Sequence, residues 1–272
     1  MNPEIPSSNP GRVLIVAGSD SGGGAGIQAD IKSVTALGGF AATAVTALTA
    51  QNTTGVHGVL EVPPAFVAQQ IDVVLSDIGA DAIKTGMLHR PEVLDAVIGA
   101  LDRANTKAPI VVDPVMVAKG GASLLDIDAR AAVRQRLIPR AAILTPNVPE
   151  AEILAEMTIS DQESMLAAGR KLLTLGSKAV LMKGGHMPGD QVVDLLLHEA
   201  GVERFASPRL DSRHTHGTGC TLASAIACGL AQGLVISAAV ERARNYVLEA
   251  IRTAPGLGRG HGPLNHGHTV VG

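Results

Sequence analysis

Short apolar segments alternate with helix-periodic ones along most of this chain, and each apolar segment stops at a polar or glycine-rich cluster. The clusters are residues 18–26, 51–54, 86–87, 113–114, 145–147 and 183–186. Runs such as RVLIVA at 12–17 and PIVVD at 109–113 have almost no polar face, so they must be covered on both sides. Strands of that kind, separated by helices, build an α/β fold with a mostly parallel sheet between helical layers. Strands are expected at 12–17, 41–50, 81–84, 109–113, 141–144 and 178–182, with a late hairpin at 192–197 and 202–205. Helices are expected at 27–37, 63–76, 91–103, 128–137, 149–156, 161–175, 218–231 and 237–252. Ligands of open α/β sheets bind beyond the carboxyl ends of the strands, so the clusters are expected to line one site. Residues 1–11, with three Pro, two Ser and two Asn, read as a disordered leader, which leaves 12–272 as a single domain.

Composition narrows the function. The chain is 46% hydrophobic and 17% charged, enough apolar material for a core and too little charge for a disordered chain. With no Trp, one Tyr and three Phe, the core must be built from Ala, Val, Leu and Ile, and a base-stacking surface is not expected. A net charge of −3 gives no basic footprint for nucleic acid. Cys220 and Cys228 form neither a disulfide framework nor a zinc motif and fit a reducing, cytoplasmic setting. No signal peptide is expected, because the first residues lack a basic and an apolar region. Residues 220–240 carry no charge, but Thr221, Ser224, Gln232 and Ser237 interrupt them, and they read as buried helix rather than a membrane span.

Four motifs carry candidate chemistry. His214-Thr215-His216-Gly217-Thr218-Gly219-Cys220 precedes an apolar helix. Its glycines let backbone N–H groups turn toward an anion at the helix start, and Cys220 falls in the first turn, where a thiol pKa is lowered. An ordinary helix cap with a small buried cysteine has the same sequence, so this segment alone leaves both readings open. Lys183, before Gly184-Gly185-His186, suits phosphate neutralisation or a plain surface turn. Asn147 and Glu150 suit a capping box or a Mg²⁺–phosphate. Asp113 suits a metal-bound water or a turn before Pro114. The dinucleotide-like Gly24-x-Gly26-x-x-Ala29 lies too far past its strand, and no acid ends the next strand, which argues against a phosphate cradle there. His214 and His216 lack metal-ligand spacing, and they, like His261, His266 and His268, are expected to be solvated.

Taken together, the motifs resemble one family. They are Ala17-Gly18-Ser19-Asp20-Ser21 with residues 23–30, Thr49-Ala50-Gln51-Asn52-Thr53, Lys84-Thr85-Gly86-Met87-Leu88, Asp113-Pro114-Val115-Met116, Thr145-Pro146-Asn147-x-x-Glu150, Lys183-Gly184-Gly185-His186 and His216-Gly217-Thr218-Gly219-Cys220. In register from about Arg12 to His266, they are similar to the hydroxymethylpyrimidine/phosphomethylpyrimidine kinases of thiamine biosynthesis, in the ribokinase-like superfamily. The resemblance implies a three-layer α/β/α sandwich and an ATP–Mg²⁺ kinase. It would phosphorylate 4-amino-5-hydroxymethyl-2-methylpyrimidine to the monophosphate and then to the diphosphate. It implies that Gln51 binds the pyrimidine with Gly18, Asp30, Met87 and Val115. Gly217, Thr218 and Gly219 would form the anion hole and Cys220 would be the base. Lys183, Asn147, His216 and Thr218 would face ATP and its phosphates, and Asp113 and Glu150 would serve Mg²⁺. A cytoplasmic homodimer is expected on the same ground, with no nucleic-acid or membrane partner. Lys119-Gly120-Gly121 suits a mobile flap.

Three other readings compete. A pyridoxal kinase of the same superfamily would share the active-site chemistry. A nicotinamide-dependent oxidoreductase rests on the Gly24 motif alone. A non-catalytic small-molecule binder would make Lys183 and Cys220 structural.

Overall fold

The computed structural model describes residues 10–116 and 127–270. Strand β1 (Arg12–Ala17) is central, because alternate residues feed opposite faces: Leu14 and Val16 pack into one core, Val13 and Ile15 into the other. It pairs in parallel with β2 (Phe40–Val45) on one side and β5 (Ala82–Thr85) on the other. Beyond β5 follow β6 (Ile110–Val112), β7 (Ala141–Leu144) and β8 (Ala179–Met182), all parallel. The antiparallel hairpin β9 (Gln191–His198) and β10 (Gly201–Pro208) completes an eight-stranded sheet.

Two helical layers cover it. Helices α2 (Pro64–Asp77), α3 (Pro91–Arg103), α5 (Val148–Ala155) and α6 (Gln162–Leu173) share one core, with the turns around Val133 and Leu137. Helices α1 (Gly26–Ala36), α7 (Thr218–Ala231) and α8 (Ile236–Arg252) share the other. This is the α/β/α sandwich expected from the pattern. The uncharged stretch beginning at Cys220 is α7, whose Ala223, Ala225 and Ala227 are fully buried against the sheet. Among the described residues no helix is long and apolar enough to cross a membrane.

Two expectations need correction. The strand expected at 41–50 is broken at Thr46. There the Thr46 N–H takes the last β1 carbonyl at 3.0 Å and its hydroxyl donates to the Met87 carbonyl at 2.7 Å. The chain then leaves the sheet as β3 (Ala47–Asn52), which pairs with the unexpected β4 (Gly55–Glu61) to form a separate two-stranded flap. The helix expected at 128–137 is α-helical only as α4 (Ile127–Ala132). It then widens into a π turn over Val133–Leu137 and tightens over Ile138–Arg140, where Pro139 has no N–H to continue the ladder.

The segment after α8 straps the site. The Gly260 N–H reaches Thr53 Oγ1 at 3.2 Å and the His261 N–H the Thr53 carbonyl at 2.9 Å, at the tip of the flap. A Cβ on Gly260 would lie 2.0 Å from that carbonyl, so glycine is required for the approach. Pro263 then bridges to His216, and His266 meets Thr221 Oγ1 at 3.0 Å. His266 is buried rather than solvated, and burial lowers its pKa to about 4. The leader's residues 1–9 and the Lys119-Gly120-Gly121 segment lie outside the described residues.

Candidate active site

The strand-end clusters converge as expected from the parallel sheet. A cavity of about 1190 Å³ opens over the carboxyl ends of β1, β5, β6, β7 and β8, with the flap on one side and the start of α7 beneath. Three groups of side chains line it.

The first group gathers charge. The Lys183 ammonium lies 3.1 Å from Asp113 Oδ1 and 4.0 Å from Glu150 Oε2. Its side chain is only 14% exposed, so Lys183 is no surface-turn lysine. Thr145 Oγ1 donates to Asp113 Oδ1 at 3.2 Å. Asn147 and Glu150 form the capping box of α5: the Glu150 N–H reaches Asn147 Oδ1 at 2.9 Å, and the Asn147 N–H reaches Glu150 Oε2 at 2.8 Å. Capping and cavity-lining coincide. Burial, opposed by Lys183 and reinforced by the Asp113 charge, lifts the Glu150 carboxyl to about 7. Sequence reasoning missed Asp194, which accepts from the Gly184 N–H at 2.7 Å and pairs with Arg244 at 2.7 Å, fixing the turn after Lys183. No local spacing marks that trio.

The second group is the start of α7. Gly217 is left-handed, with φ +83°, and a Cβ there would lie 1.8 Å from the Gly24 carbonyl. Thr218 Oγ1 donates to the Thr215 carbonyl at 2.8 Å. The first-turn N–H groups of Gly219 and Cys220 have no intrahelical acceptor and lie at the positive end of the helix. A Cβ on Gly219 would lie 3.3 Å from Lys183 Nζ, so the helix start abuts the charged group. Cys220 is half-buried and lines the cavity. Its thiol departs from expectation. Burial, reinforced by the charges of Asp30 and Asp113, pushes it up to about 12, against the opposing effects of Lys84 and the Gly26 N–H. Beneath lies a buried network: Lys84 Nζ is 2.9 Å from Asp30 Oδ2, and Ser224 Oγ donates to Asp30 Oδ1 at 2.7 Å. Asp30 is therefore fully buried below the cavity and not among its lining residues. Lys84 lines the cavity instead.

The third group faces the flap. Gly18, Met87, Val115 and Gln51 line this part of the cavity. The terminal amide of Gln51 lies 3.3 Å from His216 Nε2, which is 2.8 Å from Asp20 Oδ2. His216 thus turns toward Gln51 and Asp20. The reason is Asp20, whose buried carboxylate holds the imidazole.

A family model described as phosphomethylpyrimidine kinase matches residues 20–265, which takes in all three groups except Gly18. The chain belongs to the phosphomethylpyrimidine kinase family. The thiamine biosynthesis bifunctional protein ThiED of Geobacter sulfurreducens is 56% identical over 94% of this chain, which spans 52% of that longer protein. The hydroxymethylpyrimidine/phosphomethylpyrimidine kinase of Bacillus subtilis is 47% identical over 94% of each chain. Among solved structures, the phosphomethylpyrimidine kinase of Clostridium difficile 630 superposes with a TM-score of 0.79 at 41% identity, over 88% of this chain and 99% of that one. An ADP complex of Bacillus subtilis pyridoxal kinase superposes with a TM-score of 0.87 at 33% identity, over 94% and 97%. The phosphomethylpyrimidine kinase fold is thus shared with pyridoxal kinases, while sequence identity is higher to the pyrimidine kinases. The dinucleotide reading of the Gly24 motif finds no support in these relatives, and the Gly18–Gly26 loop lies on the flap side of the site.

Proposed function

We propose that this kinase transfers the γ-phosphoryl group of ATP to the hydroxymethyl oxygen of 4-amino-5-hydroxymethyl-2-methylpyrimidine, and then a second phosphoryl group to the monophosphate. The observation that carries the reading is one cavity with two unlike ends. Lys183 and the start of α7 form an anion site, and Gln51 with Met87 and Val115 forms a small apolar pocket with one amide. Phosphoryl transfer needs alignment and charge neutralisation more than covalent chemistry. Gln51 presents a donor and an acceptor to an aminopyrimidine edge. The first-turn N–H groups of α7 and Lys183 receive the charge of the transferring group. Cys220 lines the cavity at the start of α7, beside the proposed anion site. With its pKa at about 12 the thiol is protonated at rest and cannot take up the hydroxyl proton, so it acts by position, and that proton passes to an oxygen of the transferred phosphoryl group as the new P–O bond forms and the bond to ADP breaks.

The donor set fits Mg²⁺. Asp113 and Glu150 are buried hard-oxygen donors beside the Lys183 ammonium, and a bound cation would favour the carboxylate form of Glu150, whose carboxyl otherwise stands at about 7. No cluster of three His, Cys, Asp or Glu exists among the described residues, so phosphate oxygens and waters would complete the shell. The ion would neutralise charge on the phosphates. A cytoplasmic homodimer is carried over from the resemblance, and light scattering gives the oligomeric state.

The second reading, pyridoxal phosphorylation, is favoured by the TM-score of 0.87 to a pyridoxal kinase. ATP consumption with the hydroxymethylpyrimidine, its monophosphate and pyridoxal in parallel, with products identified by mass, decides between them. Diphosphate from the pyrimidine is expected. Turnover of pyridoxal alone would overturn the assignment.

A further inference from the structure

Asp20 sits in the loop between β1 and α1 and is 2% exposed. Its Oδ1 accepts from the Gly22 N–H at 2.8 Å, and its Oδ2 accepts from the Gly24 and Ala25 N–H groups at 3.1 and 2.8 Å. Burial pushes this carboxyl up, but the bond from His216, the charge of His216 and the backbone N–H groups outweigh burial and hold it below its usual range. It is therefore a carboxylate, which only accepts. Its remaining partner, His216 Nε2 at 2.8 Å, must carry a proton.

That proton decides which way the Gln51 amide faces. In the structure the amide nitrogen lies 3.3 Å from His216 Nε2 and the amide oxygen 3.3 Å from Thr49 Oγ1, two atoms that exchange places when the amide flips. Because His216 Nε2 donates to Asp20, it has no lone pair left to accept from an NH₂ group. Thr49 Oγ1 has one proton and gives it to the Ser19 carbonyl at 2.9 Å, so toward the amide it can only accept. Both neighbours therefore require the flipped amide, with its oxygen toward His216 and its NH₂ toward Thr49.

We propose that Asp20 and His216 are positioning residues that fix the Gln51 amide in this orientation, and with it the order of donor and acceptor shown to the substrate. The inference rests on the pyrimidine-kinase reading. A fixed amide matches a ring nitrogen beside an exocyclic amine. It opposes the 4-oxo edge, where an N–H stands beside a carbonyl and both partners are reversed. The relay therefore makes the site selective for a 4-aminopyrimidine over its 4-oxo counterpart.

The test compares kcat/KM for the 4-amino substrate and its 4-oxo analogue in the wild type and in Asp20→Asn. In the variant the remaining oxygen still accepts from the Gly22 N–H, and the NH₂ that replaces Oδ2 turns to His216 at the expense of the Gly24 and Ala25 N–H groups that Oδ2 accepted. The imidazole then loses its Nε2 proton and releases Gln51. The expected result is a fall in the amino/oxo ratio of roughly tenfold or more, with the KM for ATP moved less than about twofold. An unchanged ratio overturns the proposal. His216→Phe keeps a planar ring without the donor and is expected to lose selectivity in the same way. It decides the matter if Asp20→Asn does not fold, and unchanged selectivity there is equally fatal. A wild-type enzyme that turns over neither pyrimidine overturns the functional reading itself, and that result appears before any substitution is made.

Discussion

At the scale of single residues, the site separates charge handling from proton handling. Lys183 contacts Asp113 and approaches Glu150, and its proposed role is to meet phosphoryl charge. Lys183→Met is expected to lower kcat by roughly 10²–10³-fold while the pyrimidine KM changes little, as steady-state kinetics would reveal. Cys220 has the opposite character, a thiol whose proton is retained because burial disfavours the thiolate. Alkylation of the free enzyme by iodoacetamide at this position should show no inflection below about pH 9, unlike an ordinary exposed thiol. Cys220→Ala should slow the first phosphorylation more than the second, because a neutral hydroxyl depends on the thiol to hold it in line, whereas an ionised phosphate oxygen is drawn in by Lys183 and the start of α7. Equal losses in the two steps would refute that division of labour.

At the scale of elements, the start of α7 depends on a backbone that only glycine adopts readily. Gly217→Ala combines φ +83° with a Cβ 1.8 Å from the Gly24 carbonyl. The loop must shift, with a loss of at least about 1–2 kcal/mol in urea unfolding and loss of kinase activity. Below α7, Lys84→Met strands the buried Asp30 charge and should cost about 3–5 kcal/mol, part of which Lys84→Met with Asp30→Leu restores. These elements differ in how far the sequence betrays them. Residues 12–17 and 218–231 are readable because apolar residues fill them and glycine or polar clusters bound them. Strand β4 is hidden because it lies off the main sheet and exposes Val59 and Leu60, so it lacks an alternation that burial would impose. The same distinction holds in the site. Lys183, Asp113 and the Gly217–Cys220 turn declare themselves by their place after apolar runs. The Asp30–Lys84 pair joins residues 54 apart and Asp20–His216 residues 196 apart, and no local pattern encodes either.

At the scale of the whole molecule, the protonated groups lean one way. The thiols of Cys220 and Cys228 and the phenol of Tyr246 are pushed up by burial. Lys84 and Lys183 are raised because neighbouring carboxylates outweigh their burial. Each keeps in the folded chain a proton that the unfolded chain gives up. Above about pH 9 the folded state therefore binds more protons, and stability falls as pH rises through the range set by these groups. Thermal melts taken from neutral to alkaline pH should show a declining Tm, and Cys220→Ala should make the decline shallower. The strap described after α8 has a consequence in light rather than in energy. With no Trp, Tyr246 is the chain's only phenol, and it lies at the joint where the strap docks. Its hydroxyl donates to the His266 carbonyl at 2.6 Å, and its ring stands 4.7 Å from His268. The molecule thus carries a single native lamp, dimmed while the strap is seated, so that lifting the strap from α8 would brighten the tyrosine emission without any added dye.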